Sequence, residues 1–139
     1  MGQQQLLLII LGVIIVGIAI AVSIVMFRDS GVSSNRDALR TDLLLLASKA
    51  KHFYKRPISM GGGGYSFTGL TPDAAGMLKL VTTQFSDSNA NGSYTITSVS
   101  GDGKTIIFRG TGNIQLEDGT RPTVDCTVTT IGQTMTTIR

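Results

Sequence analysis

Leu6 to Phe27 reads LLLIILGVIIVGIAIAVSIVMF, twenty-two residues with no charge, no proline and a single hydroxyl, Ser23. At a rise of roughly 1.5 Å per residue this stretch makes a helix about 33 Å long, enough to cross a hydrocarbon core of about 30 Å. It is apolar on every side, and a chain of 139 residues has no core large enough to surround it. The helix therefore needs lipid, a bundle of identical helices, or each in turn. Gly12 and Gly17 weaken it by roughly 1 kcal/mol each relative to Ala, which implies a packing role or a built-in loosening. Ser23 can return its hydroxyl to a carbonyl one turn back.

The segment in front, Met1-Gly2-Gln3-Gln4-Gln5, carries no Lys or Arg. By the positive-inside rule alone, Arg28 and everything after it would stay in the cytoplasm; a basic leader removed from before Met1 would reverse that. The stretch is too long for the apolar region of a secretory signal, and no small-residue cleavage site follows it. Behind it, Arg28-Asp29-Ser30-Gly31 reads as a joint, and Ser34 with Asp37 has the spacing of a capping box. Leu39, Leu43, Leu46, Ala50 and Phe53 then recur at helical intervals, with Arg40, Asp42, Ser48, Lys49 and Lys51 on the other sides, an amphipathic helix that Pro57 ends. Residues 1–27 are thus expected to form a hydrophobic stem, 28–57 its amphipathic continuation, and 58–139 a small head.

In the head, Gly61–Gly64 reads as a flexible linker, and Tyr65, Phe67 and Leu70 alternate as a short strand would. Thr71-Pro72-Asp73 starts a helix through Leu80, with Thr71 as its cap. From Ser93 the period changes to two and β-branched residues dominate. Strands are expected at Ser93–Ser98, Thr105–Arg109, Asn113–Glu117, Thr123–Thr130 and Thr134–Ile138. Gly101-Asp102-Gly103 and Asp118-Gly119 serve as hairpin turns. Tyr94, Ile96, Ile107, Val124, Cys126 and Val128 are the expected inward members, facing the Leu39–Phe53 stripe. The fold class is α+β: one long N-terminal helix, hydrophobic and then amphipathic, packed on a small antiparallel sheet.

The net charge is +3, and 15% of residues are charged. Lys49, Lys51, His52, Lys55 and Arg56 form the one concentrated basic stretch, well short of a nucleic-acid footprint, so nucleic acid is not an expected partner. Cys126 is the sole cysteine; alternating with Val124 and Val128, it reads as a core thiol.

A charge-free helix of this length, running into an amphipathic helix and then an antiparallel sheet, resembles the type IV pilin family and the related pseudopilins along the full chain. The resemblance implies a leader cut after a glycine by a prepilin peptidase, a wait in the inner membrane, and then helix-to-helix packing into an extracellular fibre by the pilus assembly machinery. The cut would fall before Met1 or after Gly2. Assembly residues implied are Met1, Gln5, Leu8, Leu11, Gly12, Ile15, Gly17, Ile18 and Val22, with Gly12, Gly17, Ala19 and Ala21 letting helices approach closely. The family's fifth residue is usually Glu, thought to neutralise a neighbour's amino terminus; here it is Gln5, or Leu7 if the cut follows Gly2. The family's proline in the stem and C-terminal disulfide also have no counterpart.

Two further readings stay open beside the filament subunit: a pseudopilin of a secretion or DNA-uptake apparatus, and a single-pass membrane protein whose small head binds a partner. Asp87-Ser88-Asn89-Ala90-Asn91-Gly92 matches the first half of a calcium loop, but Ser98 stands where the bidentate Glu would be, so it reads as an exposed turn. Asn91-Gly92-Ser93 is a formal glycosylation sequon, making Asn91 a candidate for modification. The Lys49–Arg56 stretch, with Phe53 and Tyr54 interleaved, reads as a solvated stripe beside a buried Phe53. No nucleophile–base pair, metal cluster or phosphate loop stands out, so neither an enzyme nor a cofactor is expected.

Overall fold

The computed structural model describes residues 2–80 and 87–139. Helix α1 runs unbroken from Gly2 to Lys55, 54 residues and about 81 Å. The apolar run has no helix breaker, and the Arg28–Asn35 segment, although rich in turn formers, is held by the turns on either side. The expected joint and capping box are therefore absent. Asp37 sits inside the helix, where its carboxylate pairs with Arg40 and its carbonyl accepts the Thr41 hydroxyl. Ser23 Oγ donates to Ala19 O at 2.7 Å, as its position in the stem requires.

Lys55 is the last helical residue before Pro57, which opens a 3-10 turn over Ile58–Met60. The stretch expected to be a flexible linker is a bonded turn instead: Gly63 N–H donates to Phe53 O and Gly64 N–H to Arg56 O. A Cβ on Gly63 would lie 2.8 Å from the Phe53 ring, so glycine is needed there for close approach. Nor is Tyr65–Leu70 a strand. Tyr65 has a φ of 65° and turns outward, while Phe67 and Leu70 turn into the core. Helix α2 spans Ala74–Leu80. Its cap is Asp73, whose Oδ1 accepts from Gly76 N–H, and not Thr71, whose hydroxyl donates to that same carboxylate.

Strands β1 (Gly92–Val99), β2 (Thr105–Gly112), β3 (Thr123–Thr129) and β4 (Gln133–Thr137) form one antiparallel meander in sequence order. The Gly101–Gly103 turn joins β1 to β2, with Gly103 at a φ of 66°. Asn113–Glu117 is not a strand. β2 runs on to Gly112, whose N–H donates to Pro122 O, and Thr111 pairs with Thr123. With β2 and β3 already joined, 113–122 can only loop out, and it closes on itself through Leu116 and Thr120 around Gly119.

The inward side of β2 is Ile106, Phe108 and Gly110, all buried, whereas Ile107 points to the other face. In β1 a bulge between Ile96 and Ser98 shifts the pairing by one residue, so that Tyr94, Ile96 and then Val99 turn to the core, while β2 alternates without interruption. The core joins that face, and Val124, Cys126 and Val128 of β3, to Leu39, Leu43, Leu46, Ala47, Ala50 and Phe53 of α1. At its stem-side end α1 comes closest to the sheet: a Cβ on Gly112 would lie 2.1 Å from Asn35 Oδ1 and 2.7 Å from Pro122.

Candidate assembly surface

Within α1 the stem stands clear of the head. Each of its large apolar side chains, from Leu6 to Phe27, is exposed, Leu8 at 68% and Ile15 at 58%. Among the described residues it is the one helix long and apolar enough to cross a membrane, and no part of its apolar window is buried. At about 100° per residue, Gln5, Leu8, Leu11, Gly12, Ile15, Ile18 and Val22 fall on one side of the helix, spread over about 140°. Gly17 falls on the opposite side from Leu8, so the expected assembly residues do not form a single stripe. Met1 lies outside the described residues.

Gly12 and Gly17 have ordinary helical backbones, and a Cβ on either would meet nothing within 4 Å. Neither the fold nor the backbone conformation of this chain requires glycine at these positions. What they leave is a shallow place on the helix surface where another backbone can come near.

Stem and head share one unbroken helix, and a polar cluster ties the head part of α1 to the sheet. Asp42 Oδ2 accepts hydrogen bonds from Asn89 Nδ2 at 2.8 Å, from Asn91 Nδ2 at 2.9 Å and from the Tyr94 hydroxyl. About two turns toward the stem, Asn35 Nδ2 donates to Asn91 O at 2.8 Å. Burial pushes the Asp42 carboxyl up, but the three hydrogen bonds outweigh it and hold it below the usual carboxylate value of 3.8. Burial, and then Asp42 itself, push the Tyr94 hydroxyl above its ordinary 10.0. In the sequence Asp42 reads as a solvated residue. Its role depends on a loop some fifty positions away, and only the density of asparagine in Asp87–Gly92 hints at it.

That loop is a bonded turn: Asn89 Oδ1 accepts from the N–H groups of Asn91 and Gly92, and Asn89 N–H donates to Gly92 O. The sequon asparagine, Asn91, is half-buried with its amide nitrogen on Asp42. Among the described residues no three His, Cys, Asp or Glu side chains gather as a metal would need.

At the far end of α1, Lys49, His52, Lys55 and Arg56 line a shallow basic cavity of about 470 Å³ with Lys79 of α2, whose Nζ donates to Gly69 O. Phe53, interleaved among them in sequence, is buried. Cys126 is a buried free thiol, pushed up by burial against a weaker opposite pull from Lys51. On the outer sheet face Arg109 and Asp125, opposite each other on β2 and β3, form a two-pronged ion pair with both contacts at 2.8 Å.

At the stem end of the head, a second cavity of about 490 Å³ opens between α1 and the loop after β2. Val25, Phe27, Arg28, Asp29, Val32 and Arg36 line one side, and Ile114, Leu116 and Glu117 the other. No protein-family model, no curated protein and no solved structure matches the chain.

Proposed function

We propose that this chain is the structural subunit of an extracellular helical filament of the type IV pilin kind, with stems bundled in the fibre core and sheet heads outside. The observation that carries the reading is the stem: seventeen large apolar side chains exposed on all sides of a helix that continues without a break into the core of the head. Moving that surface out of water is worth at least about 1.5 kcal/mol per side chain, on the order of 25 kcal/mol together. Lipid supplies such an environment before assembly, and copies of the stem supply it afterwards.

The rigid joint matters for the same reason. A plain anchor works equally well with a flexible tether, whereas a helical polymer needs each head fixed in relation to its stem so that one contact repeats along the fibre. The continuous α1, the Asp42 cluster and the close approach at Gly112 provide that fixity. Gly12 and Gly17, unneeded within one copy, suit close packing between copies. In this reading the partners are other copies of the chain, the inner membrane, the assembly machinery and a prepilin peptidase, and the role is not catalytic.

The test is electron microscopy of material sheared from the producing cells, with the N-terminal mass of this chain measured in it. Thin fibres containing a trimmed or methylated N-terminus are expected. A chain found unprocessed and only in the membrane fraction would leave a single-pass anchor.

A further inference from the structure

The α1 face that the sheet covers does not stop where the sheet stops. Val25, Arg28, Val32, Asn35, Leu39, Leu43, Leu46, Ala50 and Phe53 follow one another at intervals of three and four, one continuous stripe. From Asn35 to Phe53 this stripe is covered by the head; from Val32 back to Val25 it forms one wall of the 490 Å³ groove, with Ile114 to Glu117 of the loop after β2 as the other. The groove is thus a continuation of the head's core face, and no described residue fills it.

At the opposite end of the head, Ile58, Met60 and Tyr65 stand exposed at 75%, 66% and 72%. Two of them are held in place: the Ile58 side chain lies over Gly64, and the Tyr65 ring meets Tyr54 edge to face at 5.7 Å. The tip thus presents three large apolar side chains to solvent, with Lys55 and Arg56 beside them in sequence. Glu117, the chain's one glutamate, and Asp29 are on the groove beside Arg28 and Arg36, so its walls carry both charge signs, with Glu117 on the loop side.

We propose that the apolar tip formed by Ile58, Met60 and Tyr65 docks into the Val25–Leu116 groove of a second copy of this chain, with Arg56 or Lys55 reaching Glu117. The proposal rests on the filament reading and names a contact between heads that the stems alone do not specify. Because tip and groove are different surfaces at opposite ends of the head, the contact is heterologous, and repetition of it builds an open polymer and not a closed pair. The lengths agree. Arg28 to Lys55 spans about 42 Å, so a copy stacked on the tip is displaced by roughly that much, and its stem, Gly2 to Phe27, is about 39 Å long. The upper copy's stem then runs beside the lower copy's head helix, where Leu44 and Leu45 are exposed on the side of α1 away from the sheet.

Met60→Cys and Ile114→Cys, made singly and together, test this with a short bifunctional thiol reagent on sheared fibres. The native Cys126 is buried and serves as the silent background. The double variant is expected to give a ladder of covalent dimers, trimers and longer chains. Co-assembled single variants should stop at dimers, and either single variant alone should stay monomeric. Fibres that form but give no ladder would overturn the contact while leaving the filament reading intact. Dimers from Met60→Cys alone would overturn it in favour of a two-fold contact. If the thiol introduced by Ile114→Cys were shielded in lipid vesicles but open in fibres, the groove would belong to lipid headgroups instead. Absence of fibres from the unaltered chain would defeat the filament reading and this contact with it.

Discussion

Within α1, the half from Gly2 to Phe27 exposes all its large apolar side chains, whereas in the half from Arg28 to Lys55 Leu39, Leu43 and Leu46 are fully buried. Backbone, hydrogen bonding and element are the same in both, so helix propensity does not distinguish them. The angular distribution of apolar residues does. In the second half they are concentrated in a stripe that one sheet can cover, and the chain supplies that sheet itself. In the first half they encircle the helix, and no small head can cover a full circle. The stem's partner must therefore come from outside the molecule, and the head's does not.

The contrast between the two halves is most vulnerable at Ile14. Ile14→Asp places a charge in the ring of apolar side chains, where burial without a partner costs several kcal/mol. Fibres should disappear under the electron microscope while the head keeps its cooperative thermal transition; fibres of normal yield would mean the stem does not enter a water-free core. Leu43→Ala is the opposite experiment. It should lower the stability of the head by about 2–5 kcal/mol in denaturant unfolding, because Leu43 fills the space under the sheet, yet leave the stem helical in detergent by circular dichroism.

Asp42→Asn should cost the head about 2 kcal/mol, since it weakens three hydrogen bonds to a carboxylate. The same cluster gives the head a pH window. Asp42 is held below 3.8, so its contribution is complete at neutral pH and is lost as the pH falls through the folded-state value. Tyr94 is held above 10.0, so its contribution is complete below pH 10 and is lost above it. Thermal unfolding followed from about pH 2 to about pH 11 should show a plateau with both edges in the wild type and a weakened acid edge in Asp42→Asn. The smallest effect is expected at Gly12. Gly12→Ala should raise stem helicity slightly, by at most about 1 kcal/mol, and leave head stability unchanged; a loss of fibres from this variant would show that close helix approach at Gly12 is needed.

What is legible in the sequence follows the same division. The stem and the Leu39–Phe53 stripe are written in local spacing, and both appear where the spacing puts them. The meander is legible from β-branched alternation, but its details are not. Ile107 stands between Ile106 and Phe108, and three apolar residues in a row do not say which of them turn inward; the bulge in β1 leaves no local mark, and Asn113–Glu117 alternates like a strand although β2 and β3 already pair without it. Thr71 and Asp73 are both good caps by residue type, and only the backbone path decides between them. The Asp42 cluster joins residues about fifty positions apart, and the tip and the groove are visible only once the sheet shows where it stops along α1.

A helical reconstruction of sheared fibres by electron cryo-microscopy would reveal directly what surrounds the stem. Stems packed against one another along the fibre axis are expected, with Leu8, Leu11, Ile15, Ile18 and Val22 out of contact with water and the four-stranded heads outside. Fibres with stems exposed on their surface, or single chains in detergent and no fibres at all, would contradict a stem that is completed by copies of itself.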